Sequence, residues 1–270
     1  MDNRVLKKLR KAEIEILDEI ERVCKKHNIK YFLMFGTLLG AVRHQGFIPW
    51  DDDIDIGMTR EDYDKFMQIA PKELNEKYHL DYINTNKNYY LPFMKVRNKE
   101  TLFEEETSLK YDGPKGIWVD IFPYDYIKKN KLSKLTKIKV KFIFLLYETL
   151  AIRNLKAKTS SKLAQITTKL MSNKLNFKLI DLLIKEKKKT ENIVYYNFRG
   201  MKHVVIFNKK DIFPLTTIDF EDKKYAVPKN YKTVLKKLYG KDYMQLPPIE
   251  QRESHNPKKV IFEDGEKFEF

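Results

Sequence analysis

Asp51, Asp52, Asp53 and Asp55 crowd four carboxylates into the end of the stretch YFLMFGTLLGAVRHQGFIPWDDDIDIG, Tyr31 to Gly57. Asp53 and Asp55 alternate with Ile54 and Ile56. On a strand, that period of two sends both carboxylates to one face and both isoleucines to the other. Carboxylates fixed side by side repel. The arrangement is tolerated when a divalent cation sits between them and something anionic. An Asp-rich loop is ordinarily a solvated turn. Here Trp50 precedes the acids and Ile54 and Ile56 interrupt them, which implies partial burial and favours a site for one or two Mg2+ or Mn2+ ions. Such ions offset charge at a reacting phosphorus and lower the pKa of an attacking hydroxyl. Gly36 and Thr37 end an apolar run seventeen residues upstream of the Asp-Ile-Asp strand. At a strand-to-helix junction this pair suits a phosphate: glycine lets the backbone approach, and the free amides and the Thr37 hydroxyl donate. Alone, a Gly-Thr pair is an ordinary turn; its coupling to the acidic strand is the specific feature. Asp120, a lone acid inside GIWVDIF, is a candidate third ligand or general base, or else the buried partner of a Lys or Arg.

These side chains need a scaffold, and the patterning supplies one. Leu6, Leu9, Ile16, Leu17, Ile20 and Val23 recur at helical spacing and predict a helix over Val5–His27. Lys30–Phe35 reads as a buried strand, Thr37–His44 as a short helix, and Gln45–Trp50 as a loop forced by Gly46 and Pro49. Asp53–Met58 is a second strand. Thr59-Arg60-Glu61-Asp62 resembles a capping box opening a helix that runs to Pro71. Strands are predicted at His79–Ile83, Tyr90–Arg97, Thr101–Phe103 and Gly116–Phe122, the last closed by Pro123. Lys134–Leu155 and Leu163–Leu183 read as helices. Short strands follow around Val204–Phe207 and Tyr225–Val227, then a helix between Pro228 and Gly240 and a turn-rich tail. The fold class is α+β. The patterning predicts a core over residues 1–127, a basic helical lobe over 128–190, and a C-terminal part, 191–270, that completes the core.

The net charge of +15 on 270 residues belongs to one segment. Lys128–Lys189 holds 18 Lys/Arg against Glu148, Asp181 and Glu186, a local excess of +15, and the remaining 35 basic and 35 acidic residues balance. That argues for a basic face with a local job and against a generally nucleic-acid-coating surface. The chain carries 42% hydrophobic residues, enough for a proper core. A single cysteine, Cys24, excludes a disulfide framework and a cysteine-based zinc site and fits a reduced, cytoplasmic setting. The N-terminal MDNRVLKKLRKAEIEIL lacks the apolar core of a signal peptide, and no run approaches the ~18 apolar residues of a membrane span.

The stretch GTLLGAVRHQGFIPWDDDIDI resembles the signature of the LicD family, which includes the fukutin-related transferases. The likeness extends to PFMKVRNKETLF, GIWVDIFPYD and YGKDYMQLPPIEQR, four blocks in family order. The resemblance implies a nucleotidyltransferase-like mixed β-sheet flanked by helices, with the site at its edge. By motif position it gives Gly36 and Thr37 the phosphate-binding role, Asp53 and Asp55 the metal-ligand role and Asp120 the third carboxylate. Asp51 falls in the family's acidic cluster, binding metal directly or through water. The activity implied is transfer of a phospho-alcohol, most often phosphocholine, in other members ribitol phosphate. It moves from a CDP-activated donor to a glycan, with release of CMP.

Within that reading, Lys95 and Arg97 alternate on one strand face and can bind the donor's diphosphate, or can guard an exposed strand edge. Arg43 can act similarly or pin the Pro-Trp loop; His44 beside it reads as structural. Arg252 and His255 sit in a C-terminal block that can close over the substrate. A choline headgroup would need an aromatic cage, for which Trp50, Trp118 and Tyr124 are candidates. The basic segment is either a lobe lying on an anionic membrane that carries a lipid-linked acceptor, or a solvated lysine-rich surface. The rivals are an NTP-dependent nucleotidyltransferase and a non-catalytic module with the same fold. The intact acid set argues against the latter, and no nucleic-acid-binding motif is recognised.

Overall fold

A computed structural model of the chain describes residues 2–106, 109, 111–128, 133–156, 158–184, 189–197, 203–252 and 254–270. Parts of the basic segment, residues 129–132, 157 and 185–188, therefore lie outside the described residues.

Helix α1 runs Asn3–Lys26 and buries the predicted stripe, from Leu6 through Val23. Asp2 caps it by accepting from the Arg4 N–H, and Lys25 and Lys26 complement the dipole at its far end. Strand β1 (Phe32–Leu33) leads into helix α2 (Phe35–His44), and β2 (Asp55–Thr59) into α3 (Arg60–Glu73). Thr59 caps α3 by accepting from the Asp62 N–H, as the capping-box pattern predicts. Strands β3 (Tyr78–Asp81), β4 (Met94–Asn98), β5 (Leu102–Glu105) and β6 (Trp118–Ile127) follow.

The basic segment forms α4 (Lys134–Leu155), α5 (Lys162–Leu170) and α6 (Asn173–Ile184), so the second predicted helix is broken at Met171-Ser172. Ser161 and Ser133 cap α5 and α4. Beyond it lie β7 (Asn192–Asn197), β8 (His203–Asn208), the short helix α7 (Lys209–Ile212), β9 (Thr216–Phe220), β10 (Lys223–Val227) and α8 (Tyr231–Tyr239). The tail, read from its turns as irregular, adds β11 (Pro257–Ile261) and β12 (Lys267–Glu269). β11 pairs with β5 across some 150 residues of sequence, a long-range partnership that local pattern does not announce.

The main sheet is mixed and ordered β1-β2-β6-β4-β3, with β7 on β6 and β8 on β7. Only β2 and β6 run parallel in it. The expected strand end at Pro123 is corrected: β6 continues to Ile127. One edge of β6 pairs β4 over Trp118–Ile121 and then β7 over Asp125–Ile127. Pro123 sits in the gap between them, where a missing N–H breaks no ladder. The principal core packs α1, α2, α3 and α8 on this sheet, and a second apolar cluster joins α4 and α6 to β7 and β8. The class is α+β.

Candidate active site

Strand pairing assembles the acids. In the parallel β2–β6 register Asp55 stands directly opposite Asp120, and in the antiparallel β6–β4 register Asp120 stands directly opposite Lys95. Asp53 precedes the first residue of β2, so it lies outside the regular ladder that the sequence pattern suggests. The Asp120 N–H nevertheless donates to the Ile54 carbonyl at 2.9 Å and holds this lead-in extended beside β6. Ile54 and Ile56 are fully buried on the opposite side. One carboxylate oxygen from each of Asp53, Asp55 and Asp120 lies within 4.8 Å of the other two, and all three residues are buried.

Helix α2 starts against this cluster. The Met34 N–H donates to the Asp55 carbonyl at 3.0 Å, and the Thr37 hydroxyl accepts from the Asp55 N–H at 2.8 Å. Among the described residues no side chain caps the helix start, and Thr37 in its first turn bonds the Asp55 backbone. Gly36 is favoured by proximity: a Cβ there would lie 2.7 Å from Asp51 Oδ2. Asp51 thus flanks the helix start and is not one of the three carboxylates that converge.

Contacts from Arg10, His255 and Glu221 hold the acidic loop and the turn before it, a task that the sequence pattern assigns to none of them. Arg10 of α1 donates to the carbonyls of Ile48 at 2.7 Å and Asp51 at 2.8 Å, pinning the Pro-Trp turn. Arg43 does not pin that turn. It donates instead to the carbonyls of Tyr243 and Gln245, each at 3.0 Å, and its Nε donates to His44 Nε2 at 2.9 Å. Burial and the Arg43 charge keep His44 below the ordinary imidazole value, consistent with a neutral acceptor. Asp52, undistinguished within its acidic run, anchors the C-terminal block. Its carboxylate accepts from the His255 backbone N–H at 3.1 Å and lies 2.9 Å from His255 Nδ1. His255 Nε2 is 3.7 Å from Asp53 Oδ2. Burial works against the His255 cation, but the bond to Asp52 and the charges of Asp53 and Asp52 outweigh it, raising its pKa to about 9. The third contact comes from Glu221, whose carboxylate accepts from the Phe47 N–H at 3.0 Å.

Glu13 of α1 is buried, and its Oε2 has no hydrogen-bond partner among the described residues. Burial first, then the charges of Asp53, Asp52 and Asp51, hold its carboxyl well above the ordinary range.

The basic and aromatic candidates are differently placed. The buried Lys95 ammonium donates to Asp120 Oδ1 and lies 4.2 Å from the Trp118 ring centre. Arg97 donates to Asp81 Oδ2 at 2.9 Å and the Gly116 carbonyl at 3.0 Å, so its guanidinium ties β4 to β3 and to the start of β6. The Arg252 guanidinium covers Trp50 at 4.4 Å. Tyr124 is fully buried among Phe32, Tyr195 and Phe207. The three cage candidates are thus engaged by the chain's own cations or by its core.

Chemically, the converging group offers three hard oxygen donors, with the Lys95 ammonium on Asp120 and the His255 ring near Asp53. A buried group of three carboxylates fits a hard divalent cation with an anionic ligand beyond it.

The same residues carry the likeness to known proteins. The family model described as LicD/FKTN/FKRP, nucleotidyltransferase domain, matches residues 28–151, from before β1 to within α4. The lipopolysaccharide cholinephosphotransferase LicD of Haemophilus influenzae is 30% identical over 257 residues, 90% of this chain and 92% of that protein. Human ribitol 5-phosphate transferase FKRP is 41% identical over 51 residues, 19% of this chain and 10% of that one. Mouse ribitol-5-phosphate transferase FKTN is 25% identical over 139 residues, half of this chain and 26% of that one. The likeness to the bacterial protein runs nearly end to end, and that to the two animal proteins covers a small part of their length. With the acid triple and the Gly-Thr helix start joined in one site, and a relative matched over almost its whole length, the chain belongs to the LicD family.

Proposed function

We propose that the protein transfers phosphocholine, or a similar phospho-alcohol such as ribitol phosphate, from a CDP-activated donor to a hydroxyl of a cell-surface glycan precursor. One observation carries this reading: the buried triple of Asp53, Asp55 and Asp120 lies at the start of α2, in a chain matched across 92% of a lipopolysaccharide cholinephosphotransferase. Phospho-alcohol transfer is the chemistry named for all three relatives. The CDP donor, the divalent ion and the kind of glycan are the finer parts of the proposal.

In this mechanism Asp53, Asp55 and Asp120 would hold Mg2+ or Mn2+, which supplies charge neutralisation at the reacting phosphate. The amides at the start of α2, with Gly36 allowing close approach, receive phosphate oxygens. Thr37 fixes Asp55 through its backbone N–H. Lys95 holds the Asp120 carboxylate in place and adds positive charge beside it. Arg97 serves this arrangement from behind, through Asp81 and Gly116. Arg43 keeps the C-terminal segment over the loop through the Tyr243 and Gln245 carbonyls. The acceptor oxygen bonds to the phosphorus bearing the alcohol, the bond from that phosphorus to the CMP oxygen breaks, and the hydroxyl proton is released.

The test is incubation with CDP-choline, CDP-ribitol, CDP-glycerol or an NTP, each with Mg2+ or Mn2+ and a glycan acceptor. The expected product is CMP from one CDP-alcohol. Pyrophosphate from an NTP, with no CMP from any CDP-alcohol, would establish the nucleotidyltransferase instead.

A further inference from the structure

Helix α4 is apolar on two faces. One face, from Val140 to Leu150, is buried in the second apolar cluster with α6 and β7. On another, Leu135, Ile138 and Phe142 follow at i, i+3 and i+7 and are exposed, Leu135 by 79%. An apolar face costs free energy in water unless something covers it, and isolated exposed leucines need no account whereas aligned ones do. Helix α5 repeats the pattern: Leu163, Ile166 and Leu170 fall at the same spacing and are exposed, Leu170 by 77%. The two helices are joined. Thr149, seven residues beyond Phe142 and so on the same side of α4, has its hydroxyl 2.7 Å from that of Thr167 on α5. With Leu175 and Leu182 of α6, this region contributes eight of the fourteen large apolar residues exposed among the described residues.

The surroundings of these stripes bear on what kind of surface would fit them. Lys134, Lys137, Lys139 and Lys141 alternate with the exposed apolar residues of α4, and Lys162 and Lys169 flank those of α5. Across Lys134–Ile184 eleven Lys/Arg face only Glu148 and Asp181. Apolar side chains aligned between lysines match a surface that is apolar beneath and negative at its boundary. A second copy of the chain would bring like charge against like charge. Among the described residues no helix is long and apolar enough to cross a membrane, so the contact lies along the surface.

We propose that the exposed faces of α4 and α5 dock on a lipid bilayer containing anionic headgroups, with Leu135, Ile138, Phe142, Leu163, Ile166 and Leu170 entering its apolar boundary. The proposal concerns a surface distinct from the acid cluster and goes beyond the proposed reaction.

The experiment is flotation of the full chain with phosphatidylcholine vesicles, with and without phosphatidylglycerol, at low and high salt. The expected result is at least ~10-fold stronger partition onto the anionic vesicles, weakened by salt. The triple variant Leu135→Ser/Ile138→Ser/Phe142→Ser is expected to lose at least ~10-fold of that binding while keeping its Tm, since all three residues are exposed. A second variant, Lys137→Glu/Lys141→Glu, should lose the preference for phosphatidylglycerol. Absence of flotation, equal partition onto both vesicles, or unchanged binding by the serine variant overturns the proposal. A dimer in lipid-free solution that the serine variant dissociates overturns it too, in favour of a second copy as the occupant. Because no donor or turnover enters the measurement, its failure is separate from failure of the proposed reaction.

Discussion

The Lys95 ammonium donates to the Asp120 carboxylate from the directly opposite position on the neighbouring strand, and both residues are buried. Such a pair adds little stability relative to an apolar replacement of both members, but loss of one member leaves an uncompensated charge. Lys95→Met is therefore expected to cost ~3–5 kcal/mol in urea unfolding of the metal-free protein. Mn2+ should restore part of that loss, because the stranded Asp120 charge would then face a cation. A loss below ~1 kcal/mol, with no response to Mn2+, would show that Lys95 is not the counter-charge of this acid.

Asp53→Asn and Asp55→Asn differ from Lys95→Met in their effect on stability. Each removes one of three clustered carboxylates, so metal-free Asp55→Asn should melt at or above the wild-type temperature, whereas in Asp53→Asn the lost attraction to His255 offsets that relief. Wild-type protein should gain Tm on adding Mg2+ or Mn2+, and both variants should lose that gain. Turnover should fall by ~10²–10³-fold or more, as when a group stabilising the transition-state charge is removed. Full activity in either variant would contradict the site assignment.

Two glycines separate the fold from the site. At Gly57 a Cβ would meet the Phe32 ring at 2.6 Å and the Tyr124 ring at 2.7 Å. Gly57→Ala overpacks the core and should cost ~1–3 kcal/mol. At Gly36 the obstacle is the tip of the Asp51 side chain, which can rotate away. Gly36→Ala is expected to leave stability within ~1 kcal/mol of wild type while lowering turnover, measured by urea unfolding and CMP release in parallel.

Glu13 supplies the pH prediction. Its carboxyl stays protonated in the folded protein above the pH at which the unfolded chain releases the same proton, near ~4.3. In that window the folded state binds more protons, so stability falls as pH rises, by up to ~1.4 kcal/mol per unit. The contribution is fully present below the ordinary carboxylate value and is lost as pH rises through the raised one. Glu13→Gln keeps the neutral shape and removes the slope. Urea unfolding in EDTA should find this variant more stable than wild type at pH 8 and similar at pH 4. The reverse order at pH 8 would mean that Glu13 is ionised and paired with Arg10.

The acidic cluster at Asp51–Asp55 and the Gly-Thr helix start are legible in the sequence because their signals are local: acids interleaved with isoleucines and a glycine before a helix, although Asp53 itself falls just ahead of β2. The helices from Asn3 and Lys134 were legible for the same reason. What pattern could not supply is pairing across distance. Asp120 was open between metal ligand and ion-pair partner, and the β4–β6 register shows it next to Lys95 as well as Asp55. Arg10 lies on the polar side of an ordinary amphipathic helix, and nothing local distinguishes it. Arg97 looked like a twin of Lys95, yet its guanidinium turns to Asp81. Strands β11 and β12 were hidden because short, lysine-bearing segments become strands only when β5 offers an edge.

Asp52 and His255 join the acidic loop to the C-terminal segment through two kinds of bond, one from backbone and one from the ring. Asp52 itself does not converge with the triple, so its effect on chemistry runs through Asp53, which His255 Nε2 approaches at 3.7 Å. Loss of the anchor should loosen Asp53 without removing it. Asp52→Ala is expected to lower kcat by ~10–100-fold, the range seen when a support behind a metal ligand is removed. It should also raise the Mn2+ concentration needed for half-maximal thermal stabilisation. Protease cleavage between Tyr243 and Asn256 should accelerate, since the segment would be held mainly by Arg43 and by the β11–β5 pairing. His255→Gln, which keeps the backbone bond and a donor, should retain more activity than Asp52→Ala. Equal losses in the two variants would place the effect in the imidazole itself and not in the anchoring of the loop.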